Sequence, residues 1–376
     1  MSKYIDGKWS KFFKELPHHE LPYSKKNWGN PNHSLCSYQG KLKPAIAYHL
    51  VKTFVPQGGS FLDPFCGVGT IPFEGALNGR TSYGIDISPL AYFVSSAKVR
   101  RSTLEGCLNV IQNIQTFIET NPVSAAYRRT NGDFGFNKTL RDYYEPQTFD
   151  EILAARIYFH QNPPRTPEEM VVISSLLHIL HGNRPYALSR KSHPIVPYAP
   201  TGDFEYKNLI EKVSEKVLKT VNEPLPQHFV EGSITLGDST TAWPDQIENL
   251  DAIITSPPFF DSTRFYLANW IRLWFTGWDD DSFNTEPSSY VDELQKDSFD
   301  IYDPIFEQAR ERLKTGGYFV MHLGKSEKCD MGEVLKQKAK YWFPRVRLYD
   351  ESVAHCAKFG LKDLGGVTSH EYLIME

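Results

Sequence analysis

A serine, two prolines and an aromatic ring lie together in the C-terminal half of the chain, in the order Ser256-Pro257-Pro258-Phe259. Consecutive prolines fix φ and lack N–H donors, so the carbonyls of this segment are directed outward rather than into a strand ladder. We therefore predict that the Ser256 oxygen and the Pro257 carbonyl accept hydrogen bonds from both N–H groups of an amine. The Phe259 ring offers a flat face on which a planar group can stack.

Two such acceptors change the chemistry of an aromatic amine. The lone pair of an exocyclic amino nitrogen is delocalised into its ring, so the nitrogen is a poor nucleophile. Accepting hydrogen bonds from both N–H groups draws the nitrogen toward tetrahedral geometry and frees the lone pair for in-line attack on an electrophilic carbon. Positioning and electrostatics then dominate catalysis, provided that a cofactor supplies a good leaving group. An ordinary Pro-Pro turn after a strand is the alternative interpretation.

A glycine-rich turn is the second informative segment, and it reads Asp63-Pro-Phe65-Cys-Gly67-Val-Gly69-Thr70. Glycines in a strand-to-helix turn let backbone N–H groups and a helix N-terminus approach a nucleoside cofactor closely. Asp86 follows Asp63 by 23 residues, at the end of the next apolar run, where an acidic residue binds ribose hydroxyls. The alternative is that both glycines only serve a turn.

These segments require a sheet that brings the ends of its strands together. Seven strands are predicted, at Ser60–Asp63, Ser82–Asp86, Ser233–Leu236, Ala252–Thr255, Tyr318–Leu323, Val346–Asp350 and Glu371–Met375. Helical patterns lie between several of them, for example at Pro44–Val55 and Pro304–Lys314. Strands that alternate with helices predict an α/β fold with a mostly parallel, doubly wound sheet.

One gap between predicted strands is too long for a simple crossover. About 145 residues separate Asp86 from Ser233, whereas a crossover needs only a dozen or so. We predict an N-terminal arm and cofactor-binding half at 1–100, a helical insertion at 101–230 and a catalytic half at 231–376. The first 35 residues, which are polar and rich in aromatics and prolines, are predicted to form an irregular arm. Met170–Leu180 is apolar nearly all round and predicts a buried helix.

The composition is typical of a globular protein. Hydrophobic residues make up 40% of the chain and charged residues 23%, with a net charge of −4. That charge argues against a strongly basic nucleic-acid coat protein but is compatible with a local basic groove. The sequence shows no secretory signal pattern and no apolar run near the ~18 residues that a membrane helix needs. Its five cysteines are widely spaced and predict neither disulfides nor a metal site. We expect a soluble, cytoplasmic, prokaryotic-type protein without a membrane partner.

Taken together, the two segments resemble those of S-adenosylmethionine-dependent DNA amino-methyltransferases. The resemblance covers about 42–100 and 230–376 and implies a Rossmann-like seven-stranded methyltransferase sheet with a helical insertion. It implies S-adenosylmethionine as the cofactor and Ser256, Pro257, Pro258 and Phe259 as the catalytic segment. The cofactor-binding residues that it implies are Asp63, Phe65, Gly67, Gly69, Thr70, Asp86, Ile87 and Asp238.

Two further segments take part in the resemblance. Asp238 corresponds to an acidic residue that accepts a hydrogen bond from the adenine amino group, with a turn or a helix cap as the alternative role. The stretch Gln39–Pro44 resembles the motif that closes over the methionine end of the cofactor.

The serine before the prolines bears on the target base. In the family, cytosine N4 enzymes usually carry Ser-Pro-Pro-Tyr or Ser-Pro-Pro-Phe, whereas adenine N6 enzymes more often carry Asp-Pro-Pro-Tyr or Asn-Pro-Pro-Phe. Ser256 therefore favours cytosine N4 in double-stranded DNA, with the target base flipped out of the helix, and adenine N6 stays open. Cytosine C5 chemistry is disfavoured because the chain has no Pro-Cys dipeptide to supply the nucleophile.

DNA contacts are predicted within the insertion. Arg184, Arg190 and Lys191 are interleaved there with aromatic and flexible residues, which suits phosphate contact with some base reading. A solvated loop with scattered charge is the alternative. In the family a recognition segment usually follows the acidic motif at Asp238, whereas this insertion precedes it, so the role of the insertion stays open. The resemblance also implies a possible cognate restriction nuclease as a partner.

Three other functions compete with DNA methylation. tRNA guanine-N2 methyltransferases share the glycine turn and a Pro-Pro-aromatic motif, but they usually carry aspartate before the prolines and an N-terminal RNA-binding module. Protein glutamine methyltransferases carry Asn-Pro-Pro-Tyr. A non-catalytic DNA-binding subunit on the same fold is a rival of another class, against which the intact Gly67, Gly69, Asp86 and Ser256 argue.

Overall fold

The computed structural model describes residues 3–15, 17–25, 28–260, 264–352 and 367–376, and these form one seven-stranded sheet flanked by helices. The strands are β1 Ser60–Asp63, β2 Thr81–Asp86, β3 Ser233–Leu236, β4 Leu250–Thr255, β5 Leu313–Ser326, β6 Val346–Ser352 and β7 Val367–Met375. Their order across the sheet is β3-β2-β1-β4-β5-β7-β6, and only β7 runs antiparallel to its neighbours. The seven predicted strands and the Rossmann-like α/β class are thereby confirmed.

Helices cover both faces of the sheet and make up most of the insertion. The α-helices of the described residues are α1 Lys3–Glu15, α2 Pro44–Phe54, α3 Thr70–Leu77, α4 Pro89–Val99, α5 Leu104–Thr120, α6 Ala125–Gly132, α7 Leu140–Tyr143, α8 Pro146–Gln161, α9 Pro167–Ile179, α10 Leu209–Val221, α11 Phe265–Ala268, α12 Trp270–Phe275, α13 Asp280–Thr285, α14 Val291–Leu294, α15 Asp303–Arg312 and α16 Met331–Ala339. Among these described helices, none combines the length and apolar character needed to span a bilayer.

The order of strands reverses at β1, and this reversal positions the site. β1 pairs in parallel with β2 on one side and with β4 on the other. In open α/β sheets, ligands bind outside the carboxyl ends of the strands at such a point. Asp63, Asp86 and Thr255 are the last residues of β1, β2 and β4, so all three lie at the C-terminal end of the central parallel strands.

The prediction of an irregular N-terminal arm is wrong for its first part, which forms α1. Ile5, Trp9 and Phe12 are buried along one face of this helix and join the core cluster that covers one side of the sheet. The Trp9 ring stacks on Tyr349 of β6, with 4.4 Å between ring centroids. The spacing of the three apolar residues is helical, and their burial outweighs the polar composition of the segment around them.

The insertion shares its core with the helical layer over the sheet. Residues of α5, α8 and α9 pack in one apolar cluster with Leu90 and Val94 of α4. The predicted buried helix is confirmed, since the buried residues of α9 run without interruption from Met170 to Ile179. Because one apolar cluster contains residues of both parts, the insertion packs directly against the cofactor-binding half. The boundaries at 100 and 230 stay predictions.

Candidate active site

A cavity of about 750 Å³ opens at the carboxyl ends of the central strands. Its size lies within the range of ligand-binding clefts. The cavity brings the predicted catalytic segment and most of the predicted cofactor-binding residues together. The predicted residues that line it are Asp63, Phe65, Gly67, Thr70, Asp86, Ile87, Asp238, Ser256, Pro257, Pro258 and Phe259.

The glycine turn presents its backbone to this cavity. Gly67 has a φ of +49°, and a Cβ placed on it would meet only the Tyr38 ring, at 3.9 Å. The Gly67 N–H donates to Asp86 Oδ2 at 2.8 Å, and the Ser88 N–H donates to Asp86 Oδ1 at 2.9 Å. Asp86 therefore shapes the turn at the same time as it faces the cavity.

Gly69 lies on the side of the turn that packs against α4. It does not line the cavity, and its φ is +72°. A Cβ on Gly69 would lie 2.7 Å from the Ser95 Cβ and 2.9 Å from the Ser95 Cα. The residue must be glycine because α4 packs directly against the turn, so Gly69 contributes to the cofactor site by fixing the shape of the loop.

A buried hydrogen bond ties the glycine turn to the catalytic segment. The Thr255 hydroxyl donates to Asp63 Oδ1 at 2.6 Å, and the Phe65 N–H donates to the same oxygen at 3.2 Å. Burial of the Asp63 carboxyl raises its pKa to about 7. The ends of β1 and β4 are thus held in a fixed relation immediately before the two segments that line the cavity.

Burial raises the pKa values of two carboxyl groups at the cofactor end of the cavity. It raises the pKa of Asp86 to about 6, and the pKa of the neighbouring cavity residue Asp292 is also raised to about 6, mainly by burial. Ionised carboxylates are the better acceptors for ribose hydroxyls, so protonation weakens cofactor binding. We expect the affinity for S-adenosylmethionine to fall as pH falls through about 6, approaching tenfold per pH unit below it.

Calorimetric titration between pH 5 and pH 8 checks this expectation. The same titration with Asp86→Asn and Asp292→Asn assigns the dependence, since only the residue that contacts the cofactor should flatten the curve when it is neutralised. An affinity that rises as the pH falls would contradict it.

Asp238 has the turn role that the sequence left open, and its adenine-binding role stays a prediction. Its Oδ1 accepts hydrogen bonds from the Thr240 N–H and from the Thr240 hydroxyl, both at 2.8 Å, which is the predicted turn role. The side chain nevertheless lines the cavity beside Ser239. The turn bonds hold the carboxylate in place, so the two roles are compatible.

Two histidines that no sequence pattern marks as functional lie next to Ser256. The Ser256 Oγ lies 3.1 Å from His322 Nδ1, and His322 Nε2 lies 2.8 Å from His370 Nδ1. Both rings line the cavity. They belong to β5 and β7, which are adjacent antiparallel strands far from Ser256 in the chain. Only the pairing of these strands brings them to the serine.

Gly324 of β5 sets the position of the Phe259 ring. A Cβ at residue 324 would lie 2.4–2.8 Å from three atoms of this ring. We expect Gly324→Ala to displace the ring and to reduce turnover about tenfold or more, while S-adenosylmethionine affinity stays unchanged. Steady-state kinetics and cofactor titration on the same preparation measure both effects. Gly7→Ala is the matched control because nothing lies within 4 Å of the added methyl, and a Gly324→Ala variant as active as this control would refute the packing role of Gly324.

Aromatic residues from two distant segments close the cofactor end of the cavity. Tyr38 lies beside Gly67 and stacks with Phe265, with 5.7 Å between ring centroids. A Cβ on Gly40 would come within 3.1 Å of the Phe265 ring. Residues 38–43 all line the cavity, and the role implied for Gln39–Pro44 at the methionine end of the cofactor stays a prediction. The stacking of Tyr38 on Phe265 joins this segment to the one that follows the catalytic loop.

His18, His19 and Glu351 form a cluster with the composition of a metal site. Their ligand atoms lie within 4.8 Å of one another, and all three residues line the cavity. However, metal-bound histidines almost always anchor their second ring nitrogen, and His18 Nδ1 is buried without a hydrogen-bond partner in the described residues. Glu351 is instead held by hydrogen bonds from both histidines and from the Tyr372 hydroxyl, at 2.9, 2.6 and 2.7 Å. The cluster therefore fits a polar tie between the N-terminal arm and the sheet.

The predicted DNA-contacting residues lie in the insertion, away from the cavity lining. Arg184 and Lys191 are exposed. Arg190 is engaged within the insertion, where Nε donates to the Gly202 carbonyl at 2.7 Å and Nη1 to the Asp142 carbonyl at 2.9 Å. Its guanidinium also lies over the Phe204 ring, 4.4 Å from the ring centroid. Arg190 thus supports the loop that carries Lys191, and a contact between these residues and DNA stays a prediction.

Comparisons with known proteins agree with the class of the fold. Residues 31–128 match the model of the family UPF0020, described as "RMKL-like, methyltransferase domain". No curated protein matches the chain.

Solved structures with a similar arrangement are distant in sequence. A TehB-like SAM-dependent methyltransferase from Corynebacterium glutamicum is 10% identical, with 88% of this chain and 87% of that chain covered and a TM-score of 0.33. TrmN from Thermus thermophilus is 12% identical with a TM-score of 0.36, and the match covers 92% of this chain but only 52% of TrmN. The glycopeptide N-methyltransferase MtfA in complex with S-adenosylmethionine is 8% identical, with 90% and 96% covered and a TM-score of 0.34. These similarities concern the fold alone and not the substrate or the mechanism.

The class of the protein follows from three findings together. The sheet has the predicted methyltransferase arrangement, the family match spans the glycine turn, and the acidic residue after β2 meets that turn in the cavity. These findings support an S-adenosylmethionine-dependent methyltransferase domain, with the family match covering residues 31–128. The cavity fits that cofactor, since the open space over Gly67 accommodates a close approach and Asp86 can accept from ribose hydroxyls.

Proposed function

We propose that the protein methylates the exocyclic N4 of cytosine in DNA. One observation carries the proposal: the acceptor pair of Ser256 and Pro257 lines the same cavity as Gly67, at the ends of adjacent strands. A methyl group held at the glycine turn and an amine held at the catalytic segment would then be neighbours. The methyl group passes directly between them, without a covalent intermediate on the enzyme.

The residues of the catalytic segment act on the amine. S-adenosylmethionine supplies an electrophilic methyl group on a sulfonium leaving group. The Ser256 oxygen and the Pro257 carbonyl accept hydrogen bonds from the two N–H groups, which directs the nitrogen lone pair toward the methyl carbon. Phe259, fixed by Gly324, stacks on the base and sets its distance from the cofactor end.

The cavity supports a flipped base rather than one inside a helix. The catalytic segment lines a cavity rather than a flat surface, and a target base flipped out of the duplex is proposed to enter it. Hydrogen-bond acceptors suit an amino group, and the ring of Phe259 suits a flat heterocycle. Adenine N6 offers the same amino chemistry, and serine in place of aspartate is the residue that favours cytosine.

The insertion is proposed to hold the DNA. Arg184 and Lys191 are exposed, and Lys191 lies on a loop that Arg190 braces through backbone carbonyls. Such a loop offers phosphate contacts at little cost in conformational order. A double substitution Arg184→Ala with Lys191→Ala would weaken DNA binding and reduce its dependence on salt concentration if both residues contact phosphates.

The experiment that tests the proposed function is transfer of labelled methyl groups from S-adenosylmethionine to mixed-sequence DNA, followed by nucleoside mass spectrometry. N4-methylcytosine is the expected product. N6-methyladenine would change the target base and leave the site chemistry in place. Methylation of tRNA or rRNA with no methylation of DNA would overturn the substrate class, so both RNAs are run in parallel.

A further inference from the structure

A serine hydroxyl can serve as an acceptor only if its own proton points elsewhere. In the proposed function the Ser256 oxygen accepts from the target amine, so the Ser256 proton needs a second acceptor. His322 Nδ1 lies 3.1 Å from that oxygen, on the side of β5. Aspartate at the same position would not need such a partner, because an ionised carboxylate carries no proton.

The tautomer of His322 decides the direction of this hydrogen bond. When Nδ1 accepts from the Ser256 hydroxyl, the proton of the neutral ring is on Nε2, which then donates to His370 Nδ1 at 2.8 Å. Both hydrogen bonds then run in the same direction, from Ser256 to His322 and from His322 to His370. In the opposite direction Ser256 would donate to the substrate, and a ring nitrogen or a carbonyl rather than an amine would be recognised.

The surroundings of His322 keep its ring neutral. It is 2% exposed, and burial together with the neighbouring His370 and His18 holds its pKa well below the ordinary value, against the opposing effect of Glu351. The ring also contacts Tyr372 and Phe259, with 5.1 and 5.7 Å between centroids. His370 is less buried and lies at the cavity wall, beside the Phe259 ring.

We propose that His322 and His370 are positioning residues that direct the Ser256 hydroxyl away from the target amine and receive, through it, the proton that the methylated amine loses. The proposal rests on the proposed function, since it assumes an amine at Ser256. It explains how serine replaces aspartate as an acceptor in this chain.

The proton transfer balances without a further reactant. The nitrogen–methyl bond forms as the sulfur–methyl bond breaks, which leaves S-adenosylhomocysteine and a positively charged amine. The amine then gives one proton to the Ser256 oxygen, Ser256 gives its own proton to His322 Nδ1, and His322 Nε2 gives its proton to His370 Nδ1. His322 ends as the other neutral tautomer, and the positive charge rests on His370, which is the less buried ring.

A double-mutant cycle tests whether His322 acts through Ser256. We expect His322→Leu to lower kcat roughly 10- to 100-fold in the wild-type background and less than about 3-fold in the Ser256→Ala background. KM for the nucleic acid and affinity for S-adenosylmethionine should stay within about 2-fold of wild type. His322→Asn, which keeps an acceptor near the position of Nδ1, should recover part of the loss. Exposed His228 provides the control variant His228→Leu, and the cycle is run on whichever nucleic acid proves to be methylated.

A spectroscopic measurement separates this proposal from the substrate assignment. Nitrogen NMR of ¹⁵N-histidine-labelled protein, with His322 assigned by its loss in His322→Asn, reports the tautomer without any substrate. A neutral ring with the proton on Nε2 supports the proposal. A proton on Nδ1, or equal losses of kcat for His322→Leu in both backgrounds, would overturn it. Methylation of RNA instead of DNA would refute only the proposed function, because the tautomer and the cycle would still be readable.

Discussion

Replacing Ser256 with alanine should lower turnover by roughly two to three orders of magnitude while affinity for S-adenosylmethionine changes less than about twofold. The reason is that Ser256 contacts the reacting amine and not the cofactor, and removing one preorganised hydrogen-bonding group at a reaction centre costs about that much. Rapid-quench measurement of methyl transfer, combined with calorimetric titration of the cofactor, separates the two effects.

The matched control for this prediction is Ser288→Ala. Ser288 is exposed, and its hydroxyl donates only to the Thr285 carbonyl at 2.6 Å. Both variants lose one hydroxyl, so a difference between them reports the position of Ser256. If Ser256→Ala turned over as fast as the control, Ser256 would have no part in the reaction.

Replacing Asp86 with alanine should weaken S-adenosylmethionine binding about 100-fold. The substitution removes the acceptor for the ribose hydroxyls and at the same time leaves the Gly67 and Ser88 N–H groups without their partner, at 2.8 and 2.9 Å in the intact protein. Hydrogen bonds to a charged group contribute about 1.5–3 kcal/mol each, so the combined loss reaches this magnitude. Equilibrium titration with the cofactor measures it.

Asp245→Ala is the control for the Asp86 substitution. Asp245 is fully exposed, and its carboxylate forms a long ion pair with Arg312, at 3.9 Å. Circular dichroism of both variants establishes that the fold is retained. Unaltered cofactor affinity in a folded Asp86→Ala protein would remove the glycine turn from the cofactor site.

The part of the fold that could be predicted rests on signals that are local in the chain. β1, β2 and β4 each combine a short apolar run with a turn residue, and the glycine turn identifies β1 as the strand that leads into the cofactor site. The side chains of Asp63 and Thr255 form a hydrogen bond because the two residues end adjacent parallel strands. Helix α1 carried a local signal as well, but its apolar residues are sparse in a polar segment.

The remaining site residues could not be found from the sequence because only tertiary structure brings them together. His322 and His370 lie on an antiparallel pair of strands, and neither has a neighbour in sequence that marks it as functional. The tie between His18, His19 and Glu351 joins the two ends of the chain. The role of Gly69 could not be read from the sequence for another reason. A glycine is required both for close packing on Ser95 and for close approach to a cofactor, and the sequence does not distinguish the two.

The most direct test of the active site is a crystal structure with sinefungin, an unreactive analogue that carries an amine at the methyl position of S-adenosylmethionine. That amine should lie within about 6 Å of Ser256 Oγ, which leaves room for a target nitrogen hydrogen-bonded at about 3 Å and attacked at about 3 Å. Sinefungin bound at the glycine turn with its amine pointing away from the catalytic segment, or bound outside the cavity, would contradict direct methyl transfer at this site.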